Sequence, residues 1–185
     1  MSKIKSSPYK DPKVLVLLSL LSALSILFGK YLAIPGGDVL RFSFENLPIL
    51  LAALHIGPIA GMLVGVIADL LGCLMVGYAI NPMVTLGAAV IGLVGGIMPR
   101  ILPKKLPVFF RLAISVLAAH ICGSVVIKTV GLAAYYSMPF MILMLWRLLN
   151  YAIIAALEIA LLYLLTKNRA IAGQLRHFTK DSPLL

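Results

Sequence analysis

The sequence predicts an all-α integral membrane protein: a six-transmembrane-helix bundle with a short second helix and both termini cytoplasmic. Three observations predict it. Hydrophobic residues make up 62% of the 185 and charged residues only 12%, more apolar surface than a soluble domain can cover with polar side chains. The apolar residues come in long runs separated by proline and glycine breaks. The formal charge of +10 is confined to three short segments: Lys3, Lys5, Lys10 and Lys13 before the first run, Arg100, Lys104, Lys105 and Arg111 around a proline-rich break, and Lys167, Arg169, Arg176 and Lys180 in the tail, opposed there only by Asp11 and Asp181. Bases clustered in short flanking segments are the positive-inside signature, and this distribution argues against nucleic acid as a partner.

One membrane domain covers residues 1–185, with helices over about 14–34, 47–56, 58–76, 82–99, 108–133 and 139–166. The first is too long for a signal-peptide core and lacks an A-x-A cleavage site, so it reads as a retained span, closed by Pro35, Gly36 and Gly37. Ser19 and Ala23 stand four apart on one face and let another helix approach. Asn46 is placed to cap the second helix, with Pro48 in its first turn, and that helix ends near His55 and Gly57-Pro58. It is short for a hydrocarbon core of about 30 Å, but charge requires it to cross. Only then does the basic 100–107 loop join both termini on the cytoplasmic side.

The third helix carries Gly61, Gly65 and Asp69 at steps of four, a small-residue stripe along which backbones pack closely. The fourth begins with Asn81 as cap, Pro82 in its first position and Thr85 one turn on, and continues the stripe through Ala88, Gly92 and Gly96. Proline at 99, 103 and 107 then breaks the chain. The fifth helix places His120, Ser124 and Lys128 on one face, and the sixth places Arg147, Asn150 and Glu158 within a sector less than a quarter turn wide.

With this topology Arg41, Glu45, Asn81, Thr85, Lys128, Tyr135, Tyr136, Trp146, Arg147 and Asn150 all fall in the outer half or the external loops, with Asp69 nearer the middle. An outward-facing cavity with several fixed cations, amides and aromatic walls suits a small planar ligand carrying carboxylates. Each feature also has a structural reading. Asp69 can partner Arg147 or Lys128 inside the bundle, Lys128 can snorkel to the interface, and Arg41 and Glu45 can form a solvated loop pair. Trp146 and the two tyrosines can be interfacial aromatics, while His120 reads as a satisfied bundle histidine and Gly61, Gly65, Asp69 and Gly92 as scaffold. His55 and His177 fall in loop or tail, and Cys73 and Cys122 read as buried, unpaired thiols.

Some chemistry is missing from the sequence. There is no P-loop, so ATP-driven work would need another subunit. No HExxH, GxSxG, aspartyl dyad or Cys/His cluster occurs, and nothing orients His120 and Ser124 as a catalytic pair. The expectation is a non-enzyme without catalytic residues, metal or cofactor.

The segments RFSFENLPI, GPIAGMLVGVIADLLG and INPMVTLGAAVIGLVGG, between Arg41 and Gly96, resemble the S components of energy-coupling factor (ECF) vitamin transporters. The Gly57 to Gly72 pattern is shared across that superfamily, and the two flanking segments are most similar to the folate family. The resemblance implies a substrate-binding subunit in a bacterial cell membrane that captures folate or a related pterin from outside. It implies association with a transmembrane coupling protein and two ATPases. The family's A-x-x-x-A docking face corresponds here to Ser19 and Ala23, with serine replacing the first alanine. A pterin edge would be read by Glu45, Asp69, Asn81 or Asn150, its flat face by Trp146 or Tyr135, and an anionic tail by Arg41, Lys128 or Arg147.

Other readings stay open. Another S-component substrate, such as pantothenate, a queuosine precursor or thiamine, is one, although a cationic vitamin gains little from three bases. A self-sufficient secondary transporter would show two related halves and a coupling-ion site, and neither is found in the sequence. An intramembrane enzyme lacks the groups named above.

Overall fold

A computed structural model describes residues 11–35, 41–168, 173 and 184. Lys3, Lys5, Lys10, Gly36, Gly37, Asp38, Arg169, Arg176, His177, Lys180 and Asp181 lie outside the described residues. Five helices are long and apolar enough to cross a membrane: α1 Pro12–Tyr31, α3 Pro58–Val76, α4 Pro82–Ile101, α5 Val108–Tyr136 and α6 Phe140–Lys167. The short apolar helix α2, Asn46–His55, lies between α1 and α3.

Local chemistry sets the ends of these helices. The Asp11 carboxylate accepts the Lys13 N–H at 3.0 Å and starts α1 ahead of Pro12. Its last turn, Leu27–Tyr31, is π-helical, and the helix stops short of the expected residue 34. Pro35 forces its neighbour into extended backbone. Ile34–Pro35 (β1) therefore pairs antiparallel with Arg41–Phe42 (β2), Ile34 opposite Phe42. Asn81 accepts the Met83 N–H at 3.0 Å and caps α4, which runs through Pro99 to Ile101.

Helix α2 departs from expectation at its first residue. Glu45, not Asn46, takes the cap position, and Asn46 is fully buried with no partner for its amide among the described residues. The Glu45 side chain is drawn away from its own helix by Lys128 at 2.9 Å. With ten residues α2 is about 15 Å long, half the hydrocarbon thickness, and eight of its residues are buried. The chain reaches it from the two-residue strand β2.

Helices α3 and α4 run antiparallel with their backbones in contact. A methyl group at Gly92 would overlap the carbonyl group of Gly61, and one at Gly65 would come within 2.5 Å of the Ala88 carbonyl oxygen. Leu50, Leu54, Ile91, Leu112, Val116 and Leu162 are wholly buried around this seam.

Three contacts define the basic end of the bundle. Arg100 donates to the Ala53 carbonyl at 3.4 Å, His55 meets Thr166 Oγ1 at 3.4 Å, and Phe109 packs edge-on against Tyr163 at 5.3 Å. His55 is therefore not a loop residue; it is fully buried in the last turn of α2. Cys122 corrects a second expectation, since it is exposed on α5 while Cys73 is buried. Both faces of an apolar transmembrane helix look alike in sequence, so hydropathy does not tell which one meets lipid.

Candidate binding cavity

At the end opposite the basic loop, α1, α3, α4, α5 and α6 surround a cavity of about 240 Å³. With the basic loop cytoplasmic, the cavity opens outward. Its charged wall contains Lys30, Arg41, Lys128 and Arg147 against Glu45 and Asp69. Four cations facing two carboxylates leave a net charge of +2.

Lys128 and Glu45 form the central ion pair, N–O 2.9 Å, with side chains 5% and 27% exposed. Two glycines make room for it. A Cβ at Gly29 would stand 2.7 Å from Glu45 Oε2, and one at Gly87 would overlap the Lys128 stem. The Ser25 hydroxyl donates to the Glu45 carbonyl at 2.6 Å, tying α1 to the start of α2. Lys128 therefore does not snorkel, and Glu45 does not pair with Arg41. Asp69 has neither Arg147 nor Lys128 as a hydrogen-bonding partner; its Oδ2 accepts the Thr85 hydroxyl at 2.6 Å.

The other three cations have no carboxylate within 4.0 Å among the described residues. Arg41 donates to the Tyr78 hydroxyl at 2.8 Å and stands 4.9 Å from that ring's centroid, while Lys30 approaches the ring at 5.7 Å and Cys73 Sγ at 3.5 Å. Arg147 donates twice to the Ser124 carbonyl, from Nε at 3.2 Å and Nη2 at 2.8 Å, and lies 5.2 Å from the Tyr151 ring. Tyr135 and Tyr136 stand edge to face at 5.1 Å and complete the aromatic part of the wall.

The structure gathers Arg41, Glu45, Asn81, Lys128 and Arg147 onto the cavity and adds Asp69 to them. Thr85 and Asn150 act one step behind the wall, Thr85 through Asp69 and Asn150 by donating to the Arg41 carbonyl at 3.1 Å. Trp146 is left out: it is 58% exposed, because one residue from Arg147 is about 100° around the helix. Sequence reasoning missed Lys30, Ser43, Cys73, Tyr78 and Tyr151. Tyr151 and Cys73 had a usable signal, each four residues after a polar residue already singled out, Arg147 and Asp69, on the same helix face.

Residues 13–166 match the family model described as "ECF transporter, substrate-specific component". The chain belongs to the ECF transporter substrate-specific components. A comparison with curated proteins gives no match. Two solved structures are similar in fold. One is the crystal structure of FolT bound with folic acid, 22% identical, covering 83% of this chain and 92% of that one with a TM-score of 0.68. The other is the S component of a bacterial ECF transporter, also 22% identical, covering 89% of this chain and 98% of that one with a TM-score of 0.62. The substrate-specific component is the substrate-binding membrane part of such a transporter.

Proposed function

We propose that this S component captures folate or a related pterin outside a bacterial cell and delivers it by docking on a transmembrane coupling protein driven by two ATPases. The observation that carries the reading is the cavity's charge: three cations without a carboxylate partner among the described residues and a net charge of +2, beside tyrosine rings. Folate is a flat heteroaromatic ring with two carboxylates on its tail, and it matches both features. The tail carboxylates bind Arg41, Lys30 and Arg147. Glu45 is committed to Lys128, so Asp69 is the carboxylate left to accept from the amino edge of the pterin. At about 240 Å³ the cavity is a little below the range of about 300–1,000 Å³ usual for ligand pockets.

Protein purified from folate-replete cells should carry a pterin identifiable by mass spectrometry; a different bound vitamin would reassign the substrate. Arg147→Ala should weaken folate binding about 10- to 100-fold, the loss of one charge-assisted contact. Unchanged affinity in both Arg147→Ala and Asn150→Ala would refute the proposed site.

Ser19 and Ala23 are both exposed on α1, and the Ser19 hydroxyl is satisfied by the Leu15 carbonyl at 3.0 Å. They leave a shallow, apolar strip on which the coupling protein's helices dock. Ala23→Trp should leave folate affinity unchanged while reducing cellular uptake more than tenfold. Full uptake by that variant would move the docking face elsewhere.

A further inference from the structure

Behind the Arg147 wall lies a group of buried polar residues to which transport assigns no task. Glu158 is wholly buried on α6, and its Oε2 lies 2.6 Å from His120 Nε2 on α5, itself 2% exposed. His120 Nδ1 lies 3.2 Å from the Ser124 hydroxyl. The Ser124 carbonyl is the acceptor for both Arg147 hydrogen bonds. From this geometry we infer that Glu158, His120 and Ser124 are positioning residues for Arg147, fixing the direction in which its guanidinium meets the anionic part of the ligand.

Three observations support this. A buried carboxyl group and imidazole are costly in a bilayer and an apolar pair would pack α5 against α6 more cheaply, so their presence calls for a task. Second, a helical serine ordinarily returns its hydroxyl to a carbonyl one turn back, as Ser22 does to Leu18 at 2.9 Å and Ser115 does to Arg111 at 2.6 Å. Ser124 turns to the His120 ring instead. Its hydroxyl lies against His120 Nδ1 while Nε2 of the same ring faces the Glu158 carboxyl group, so one imidazole joins the two side chains. Third, His120–Ile127 is π-helical, with the Lys128 N–H bonded back to the Gly123 carbonyl, and such widened turns reorient backbone groups at functional sites. Tyr151 braces the same arrangement from the side, its ring 5.1 Å from His120 and 5.2 Å from the Arg147 guanidinium. Guanidinium direction matters because planar, forked recognition of a carboxylate is angle-dependent.

The inference rests on the folate reading only for its effect on binding, and a ligand-free measurement tests it directly. In protein labelled with ¹⁵N at arginine Nε, the Arg147 signal is assigned by its loss in Arg147→Lys. Glu158→Gln and Ser124→Ala should each move that signal and leave those of Arg100 and Arg111 in place. An unmoved Arg147 signal in both variants, or an equal shift of all three, overturns the proposal. In wild-type background Glu158→Gln should weaken folate binding three- to tenfold, with no further loss when added to Arg147→Ala. An equal loss in both backgrounds also overturns it. A wild-type protein that binds no folate refutes the substrate reading alone, and the Arg147 signal then decides the positioning role by itself.

Discussion

Lys128→Met should destabilise the protein by about 3–5 kcal/mol, the usual cost of removing one partner from a buried ion pair. The side chain is 5% exposed and its ammonium sits 2.9 Å from Glu45, so the substitution leaves a half-buried carboxylate in the cavity wall without its partner. Lys30 and Arg147 in the same wall offset it only in part. Glu45 is pinned at the start of α2 by the Ser25 hydroxyl on its carbonyl and is confined by Gly29, where even a methyl group would come within 2.7 Å of its Oε2. The double variant Lys128→Met, Glu45→Gln should recover most of the loss, because neither charge is then left alone. Thermal unfolding in detergent of the two single variants and the double would measure the coupling. A double variant no more stable than Lys128→Met would show that the lysine acts by packing its stem and not by its charge.

The pair also shows what was legible in the sequence and what was not. Helical spacing put His120, Ser124 and Lys128 on one face of α5 and Arg147, Asn150 and Glu158 on one face of α6, and all six are buried. Partners across helices are a different matter, since Lys128 and Glu45 are 83 residues apart and no periodicity links them. The charge clusters marked one end of the bundle as the expected cytoplasmic side, and the cavity lies at the other end. They did not distinguish Trp146 from Arg147, because in lipid an outward face is as apolar as an inward one. Lys30 and Tyr78 were illegible for local reasons. Lys30 lies in the π-helical last turn of α1, where a lysine reads as an interfacial anchor, and Tyr78 follows the left-handed Gly77 (φ 71°), whose turn sends it back over the cavity. The motifs between Arg41 and Gly96 pointed to the family before any geometry was available, and the family match over 13–166 agrees. The glycine stripe on α3 and α4 was read correctly as close packing, but spacing alone could not rank its members.

The structure ranks them, and two glycines three residues apart on α4 give the sharpest contrast. Both Gly92→Ala and Gly95→Ala gain about 1 kcal/mol of intrinsic helix propensity, so any difference between them comes from their surroundings. At Gly92 the added methyl overlaps the Gly61 carbonyl and the Met62 nitrogen, which are backbone atoms of a helix that cannot move without parting the α3–α4 seam. At Gly95 the nearest atom, 2.8 Å away, is the tip of the Leu50 side chain, and the next two are methyl carbons of Ala119 and Ala53 at an ordinary 3.7 Å. A leucine tip can rotate; a helix backbone cannot. Gly92→Ala should therefore lose at least about 2 kcal/mol net, in the upper range for overpacking, and Gly92→Ile should yield no folded protein. Gly95→Ala should stay within about 1 kcal/mol of wild type. Asp69 and Thr85 lie farther along the same seam, at 2.6 Å, so parting it at Gly92 should also weaken ligand binding. Monodispersity and thermal midpoints of the three variants would check the order, and equal behaviour of the two alanine variants would contradict backbone contact at Gly92.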